Sequence, residues 1–205
     1  IINNALIHVQ NTYLFQIFSL GNLQGRIENY GTIRIEHSDE SGFYNFREAT
    51  FINHEGATLL VNASSRGSII NSGSFFNHGS ISCRNNETLG FLKNETDYQP
   101  SPEMVVVATF VNTGDITLIR SESSFGIDNS GVFDNRGGTI KIDSVQHGAI
   151  HNRPRPFAVA SRFTNSGAIR IGSGVGHVEE SGLEAEATGI ENSGSIFINE
   201  PKGIV

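Results

Sequence analysis

Residues 69–83 form the most regular stretch of the chain, because every second position is apolar, Asn or Gly. The positions between them are mostly small or polar. Alternation over this length predicts extended chain with one buried face, since successive side chains of a strand point to opposite sides. The Asn-x-Gly steps predict bends, because both residues tolerate backbone conformations that other residues avoid. The stretch therefore predicts strand, bend, strand, bend and strand, which is most of one coil of a β-solenoid.

The same pattern recurs along the chain, as expected for a repeat architecture. Its clearest half reads apolar-x-Asn-x-Gly-x-Ile, as in Phe75, Asn77, Gly79 and Ile81. The leading apolar residues form one column, which contains Ile1, Ile27, Phe51, Phe75, Phe110, Phe133, Phe163 and Ile196. Uninterrupted copies lie 23 to 26 residues apart, and the three longer gaps hold insertions, which we place at residues 93–103, 151–162 and 172–188.

The length of the repeat separates the solenoid classes. A left-handed hexapeptide helix needs an unbroken six-residue repeat, which this chain does not maintain. Leucine-rich repeats need a Leu pattern that this chain lacks. A coil of 23 to 26 residues instead fits three short strands joined by unequal bends. We therefore predict an all-β fold, a right-handed parallel β-helix of about eight coils with three loop insertions, as one domain over residues 1–205. Both ends fall inside a repeat, so we expect a fragment or processed piece of a longer repeat chain.

An Asn follows the leading apolar residue by two positions in nearly every copy. An inward Asn at a bend can hydrogen-bond to the backbone and to the Asn of the neighbouring coils, so the column predicts a structural ladder. A metal or ligand site is disfavoured there, because the amide is neutral and the position repeats in every coil. The column contains Asn3, Asn29, Asn53, Asn77, Asn112, Asn135 and Asn165.

Composition and charge exclude several classes of protein. The net charge of −7 and the pI of about 5.5 disfavour a nucleic-acid partner, which would require a basic stripe. The longest uniformly apolar run, residues 104–108, is too short to span a membrane, so no membrane insertion is expected. The single cysteine, Cys83, falls at an inward position and is interpreted as a small core residue.

No metal, cofactor or catalytic site is predicted. His54 and His78 follow the column Asn in consecutive coils, so we expect them on the outer surface near Tyr30, with no third ligand beside them. Enzymes on this fold need carboxylates clustered in a groove beside a base or an Arg. The candidate carboxylates are scattered among coils without a matching partner, which favours a protein that is not an enzyme. They are Asp115, Asp128 and Asp134.

The outward positions of the last strand of the repeat form a second surface. A flat ladder of Ser and Thr would suit ice or a crystalline polysaccharide, but charged residues interrupt it. The outward pairs are Thr32/Arg34, Ser80/Ser82, Asp115/Thr117, Thr139/Lys141 and Ala168/Arg170.

The first two insertions supply a candidate binding patch, because loops of repeat proteins carry much of their function. Both lie at the same point of the repeat and two coils apart, so their roots should be about 10 Å apart. Aromatic rings with Arg side chains suit a glycan or a protein partner. The patch would contain Tyr98, Arg153, Arg155 and Phe157. The alternative is two decorated loops with no ligand.

Residues 127–137, 163–171 and 190–198 carry a recognisable motif, Ile-x-Asn-Ser-Gly or Phe-x-Asn-Ser-Gly. They resemble the Asn-x-Gly repeats of large bacterial surface and secreted proteins, the adhesin-like β-helices of filamentous-haemagglutinin type. The resemblance implies an extracellular or cell-surface location. We expect a structural or adhesive solenoid that presents loops to a surface partner or glycan. Two alternatives stay open: a filament or sheath subunit that stacks on copies of itself, and a polysaccharide-active β-helix enzyme.

Overall fold

The computed structural model describes residues 1–12, 18–39, 41–65, 67–86, 91–96, 106–121, 125–145, 147–154, 161–172, 188–193, 195–200 and 204. All regular structure in these ranges is β-strand. No helix that could span a membrane occurs within them.

The strands repeat in threes, and every third strand joins the same parallel sheet. Sheet A contains β1 (Ile2–Asn3), β4 (Arg26–Asn29), β7 (Thr50–Asn53), β10 (Ser74–Asn77), β13 (Thr109–Asn112), β16 (Val132–Asn135), β19 (Arg162–Asn165) and β22 (Ile196–Asn199). Sheet B contains β2 (Leu6–Thr12), β5 (Thr32–Ser38), β8 (Thr58–Ser64), β11 (Ser80–Asn86), β14 (Asp115–Ser121), β17 (Thr139–Val145) and β20 (Ala168–Ile171). Sheet C contains β3 (Phe18–Asn22), β6 (Ser41–Asn45), β9 (Gly67–Asn71), β12 (Leu92–Asn94), β15 (Phe125–Asn129), β18 (Gly148–Asn152) and β21 (Thr188–Asn192).

One coil consists of a strand from sheet A, one from sheet B and one from sheet C. The three sheets hold 8, 7 and 7 strands, so seven coils are complete in the described residues and β22 stands for an eighth. The all-β parallel solenoid that the repeat predicts is confirmed, and the coil count differs slightly from the expected eight. The first two insertions both leave sheet C, after β12 and β18, and return to sheet A. The right-handed sense of coiling stays a prediction.

A stack of phenylalanine rings runs through the interior on sheet A. Neighbouring rings from Phe51 to Phe163 have centroids 4.5 to 4.8 Å apart. The rings between them belong to Phe75, Phe110 and Phe133, and all five side chains are fully buried. The vertical column inferred from sequence spacing is therefore present, and ring stacking adds to the burial of apolar surface.

The last member of this column differs from the one expected. β22 pairs Arg162 with Ile196 and Phe163 with Phe197, so Phe197 continues the stack and the assignment of Ile196 was wrong. The ring of Phe197 lies 5.2 Å from that of Phe163, while Ile196 points outward and is 49% exposed. The misassignment is a shift of one residue, which moves every side chain of a strand to the opposite face.

Cys83 lies in the core, as its inward position predicted. It pairs in register with Val61 and Leu118 and is fully buried. Burial raises the pKa of the thiol to about 12, because the charged thiolate is disfavoured away from water. A thiol in this state is a packing residue and a poor nucleophile.

Sheet B bends at the same place in five consecutive coils. The penultimate residue of each strand from β5 to β17 has a left-handed backbone, with φ between 53° and 65°. No glycine occupies these positions, and the residues share no side-chain type. They are His37, Ala63, Asn85, Arg120 and Ser144.

Candidate functional site

A hydrogen-bonded column of asparagines runs along sheet A. The side-chain Nδ2 of each Asn donates to Oδ1 of the Asn in the next coil, over 2.7 to 2.8 Å. The same amides reach backbone carbonyls, as Asn77 does with Gly79 at 3.2 Å. The column contains Asn3, Asn29, Asn53, Asn77, Asn112, Asn135, Asn165 and Asn199.

A second asparagine ladder, which the sequence reasoning missed, runs along sheet C. Its bonds span 2.7 to 2.9 Å and have the same polarity as those of the first ladder. A second recurring segment, Ile-x-Asn shortly after a Gly, was an available signal for four of its members. The ladder contains Asn22, Asn45, Asn71, Asn94, Asn129, Asn152 and Asn192.

The two ladders hold the coils in register. A buried amide without a partner costs about 1 to 3 kcal/mol, so each Asn strongly favours the position that faces the next Asn. Interior members such as Asn53 and Asn129 are fully buried. The ladders are therefore a structural device that fixes where outward side chains lie relative to one another.

The predicted loop patch falls largely outside the described residues. Tyr98, Arg155 and Phe157 lie there, so the patch stays a prediction. Arg153 is described and its side chain is 56% exposed. Its Nε lies 3.9 Å from Oδ1 of Asp128, on the outer side of sheet C.

A buried histidine stands between two carboxylates on the outer side of sheet C. Nδ1 of His151 lies 3.2 Å from Oδ1 of Asp128, and its Nε2 lies 3.5 Å from Oε1 of Glu191. The expectation that Asp128 has no matching partner was therefore wrong, because the register of sheet C stacks these three residues. The ring of His151 is buried, with only 5% of the residue exposed.

An aromatic and charged cluster lies on the outer side of sheet A. The rings of Tyr30 and His54 stack with centroids 3.9 Å apart, so the expected proximity of His54 to Tyr30 is present. Glu28 accepts hydrogen bonds from Arg26 at 2.8 Å and Tyr30 at 2.9 Å, and lies 3.0 Å from Nε2 of His54. The bond from Arg26, followed by those from Tyr30 and His54, lowers the pKa of Glu28 to about 2. His78 instead contacts Thr113 Oγ1 at 2.7 Å.

Neither this cluster nor any other in the described part of the chain forms a metal site. No group of three or more His, Cys, Asp or Glu there could hold a metal ion.

A shallow groove of about 440 Å³ crosses the outer side of sheet B, and we call it the sheet B groove. Leu60 lies at its centre, between Arg34 of the preceding coil and Ser82 of the following coil. Two residues further along the strand, Asn62 lies between Glu36 and Arg84 in the same way. The lining residues are Arg34, Ile35, Glu36, Leu60, Val61, Asn62, Ser82, Arg84 and Asn85.

Two polar contacts hold four of the groove's side chains in place. Arg34 Nη2 lies 2.8 Å from Glu36 Oε1, and the hydrogen bond from Arg34, followed by that from His8, lowers the pKa of Glu36. Asn85 Nδ2 donates to Asn62 Oδ1 over 2.8 Å, which orients the Asn62 amide.

The groove was not identified from the sequence, although Arg34 and Ser82 were correctly placed on the outer surface. The small insertion near Gly56 obscured the alternation in the third coil, so Leu60 was not recognised as outward. The spacing of 26 residues between Arg34 and Leu60, one coil length, was the signal that could have revealed it.

Comparison with known proteins gives no family for this chain. Neither a protein-family model nor a curated protein nor a solved structure matches it. The stacked asparagine ladders are consistent with an Asn-rich β-helix repeat.

Proposed function

We propose that the chain is a structural and adhesive β-solenoid, a stiff rod that binds a surface glycan on its side. The observation that carries this proposal is the sheet B groove, which combines an apolar centre at Leu60 with amide, hydroxyl and guanidinium groups around it. A few polar groups around an apolar surface are typical of small-ligand sites. The resemblance of the repeats to bacterial surface proteins adds support for an extracellular location.

Rigidity supports a presenting role. Two asparagine ladders and one phenylalanine stack connect successive coils, so outward residues keep fixed spacings without a ligand. A preformed surface loses little conformational entropy on binding, which favours recognition of a repetitive partner.

An adhesive role fits the groove better than a catalytic one. Glu36 is the groove's one carboxylate among the lining residues, and it is held by Arg34 at 2.8 Å. Hydrolysis of a glycoside requires a pair of carboxyl groups on the two sides of the bond. We therefore infer binding without turnover.

A glycan array probed with the fluorescently labelled protein tests this function. We expect binding to a subset of glycans, and we expect the variant Leu60→Glu, which places a charge at the centre of the groove, to lose that binding. Circular dichroism of the variant serves as the folding control. Absence of binding to every glycan by the folded wild-type protein would overturn the proposal.

Self-assembly is the second candidate, because the coils of a parallel solenoid can pair with coils of another copy through strand edges. Sedimentation velocity at increasing concentration, with negative-stain images, distinguishes the candidates: growing rods support assembly and isolated short rods contradict it.

A further inference from the structure

We propose that the sheet B groove binds a carboxylated sugar of an acidic glycan, and that Arg84 contacts the carboxylate. This inference rests on the proposed glycan-binding function and specifies the ligand class and the anion-binding residue.

Four basic residues of the described outer surface pair with a carboxylate two positions away on the same strand or turn. Such pairs join Arg26 to Glu28 at 2.8 Å, Arg34 to Glu36 at 2.8 Å, Lys93 to Glu95 at 2.9 Å and Arg136 to Asp134 at 2.7 Å.

Arg84 has no such pair. The residues two positions away are Ser82 and Asn86, and neither carries a charge. Its register partners in the adjacent coils are Asn62 and Ile119, which are uncharged as well. Among the described residues no carboxylate pairs with Arg84, and its side chain is exposed. Within the described residues, Arg84 is therefore a guanidinium of the groove that has no carboxylate counter-ion.

A guanidinium in this position selects a planar oxyanion. Arg presents a fork of N–H donors that matches the two oxygens of a carboxylate, and hydrogen bonds between charged groups are stronger than neutral ones. Arg34 lies two coils from Arg84, about 10 Å along the rod. Because Glu36 engages Arg34, the local charge of the groove is positive although the whole chain carries −7. This distribution favours an acidic ligand over a neutral one.

The remaining lining groups favour a sugar over an acidic peptide. A pyranose ring has a face of C–H groups, which matches the half-buried Leu60, and a rim of hydroxyl groups. Asn62 and Ser82 stand beside Leu60 and offer an amide and a hydroxyl for that rim. The groove is shallow and continuous along three coils, so a linear polysaccharide can lie across it without a deep pocket.

The experiment compares tri-galacturonic acid with its methyl ester by isothermal titration calorimetry. The ester keeps every hydroxyl and removes the negative charge. We expect the acid to bind at least about tenfold more tightly than the ester, since one charged hydrogen bond contributes about 1.5 to 3 kcal/mol. We also expect Arg84→Gln to weaken the affinity for the acid about tenfold and to leave the affinity for the ester unchanged.

Lys141→Gln is the matched control, because Lys141 is exposed on the same side of sheet B and lies outside the groove. Its affinity for the acid should stay within about twofold of the wild type. Equal affinity for acid and ester, or an unchanged affinity in Arg84→Gln, would overturn the assignment of the ligand. A poly-glutamate peptide that displaces the acid at equal concentration would also overturn it in favour of a protein partner.

The glycan array separates the two proposals. If the wild-type protein binds neutral glycans but not acidic ones, the proposed function stands and the acidic-sugar inference fails. If it binds no glycan, both fail together.

Discussion

Asn77 Nδ2 donates to Asn112 Oδ1 over 2.7 Å, although 35 positions separate the two residues. The preceding bond of the same ladder joins Asn53 to Asn77 across 24 positions at 2.8 Å. The insertion is about half a coil long and does not disturb the ladder. The inserted chain departs from the coil at one bend and rejoins it at the next strand. The ladder, and not the length of chain between coils, determines the register.

Replacement of Asn77 by Ala tests the contribution of the ladder to stability. The fully buried amide accepts a bond from Asn53 and donates to Asn112 and to the carbonyl of Gly79. Truncation removes these bonds and leaves Asn112 Oδ1 without its donor, so we expect a loss of about 2 to 4 kcal/mol. Chemical denaturation followed by circular dichroism measures the change in the free energy of unfolding.

Asn192→Ala is the control for this prediction. Asn192 ends the described part of the second ladder, is exposed, and accepts one bond from Asn152 at 2.7 Å. The free energy of unfolding of Asn192→Ala should therefore fall by less than about 1 kcal/mol. Equal losses at Asn77 and Asn192 would contradict the view that burial makes the ladder strong.

The variants Gly79→Ala and Gly56→Ala distinguish two reasons why a position requires glycine, a close backbone contact and a positive φ. A Cβ atom at Gly79 would lie 2.3 Å from the carbonyl oxygen of Ala57 and 2.4 Å from that of His54, both in the preceding coil. At Gly56 nothing lies within 4 Å, but φ is +78°. We expect the free energy of unfolding to fall by about 3 kcal/mol in Gly79→Ala and by about 1 kcal/mol in Gly56→Ala. Thermal unfolding of both variants checks the order, and the reverse order would refute the close-approach explanation.

The left-handed bend of sheet B predicts a stabilising substitution. Ala63 has φ of 56°, a conformation that an L-residue with a Cβ disfavours and glycine adopts freely. We expect Ala63→Gly to raise the free energy of unfolding by about 0.5 to 1 kcal/mol. Ala168→Gly, in strand β20 with no positive φ, should lower it by a similar amount. Destabilisation in both variants would disprove the bend as the site of strain.

The pKa of Glu28 predicts a specific acid sensitivity. Its folded-state pKa is lowered from 4.5 to about 2, so its contacts with Arg26, Tyr30 and His54 stabilise the fold fully above pH 4.5. This contribution is lost as the pH falls from 4.5 towards 2. We expect the difference in Tm between the wild type and Glu28→Gln to be largest above pH 4.5 and to vanish near pH 2. A difference in Tm that stays unchanged down to pH 2 would contradict the assignment of this acid sensitivity to Glu28.

The sequence predicted the features that depend on local alternation. A period of two along residues 69–83 revealed the strands, and the spacing of Phe51, Phe75 and Phe133 revealed the stack that the rings form. Prediction from the sequence failed where the repeat deviates from its usual pattern. Asn94 belongs to the second ladder, although Glu and Thr follow it where a small residue and Gly follow other members. Phe197 took the place assigned to Ile196, since weak terminal repeats do not specify the face.

Taken by itself, the order of residues determined the coil, its approximate length and its inward side chains, because burial of alternate positions is a property of neighbours in the chain. Only the tertiary structure decided which outward residues meet. Leu60 lies between Arg34 and Ser82, and Asp128 faces His151, through hydrogen bonds between residues a whole coil apart. A shift of one residue in those bonds would change every such neighbour, so surface chemistry follows from inter-coil register and not from local pattern.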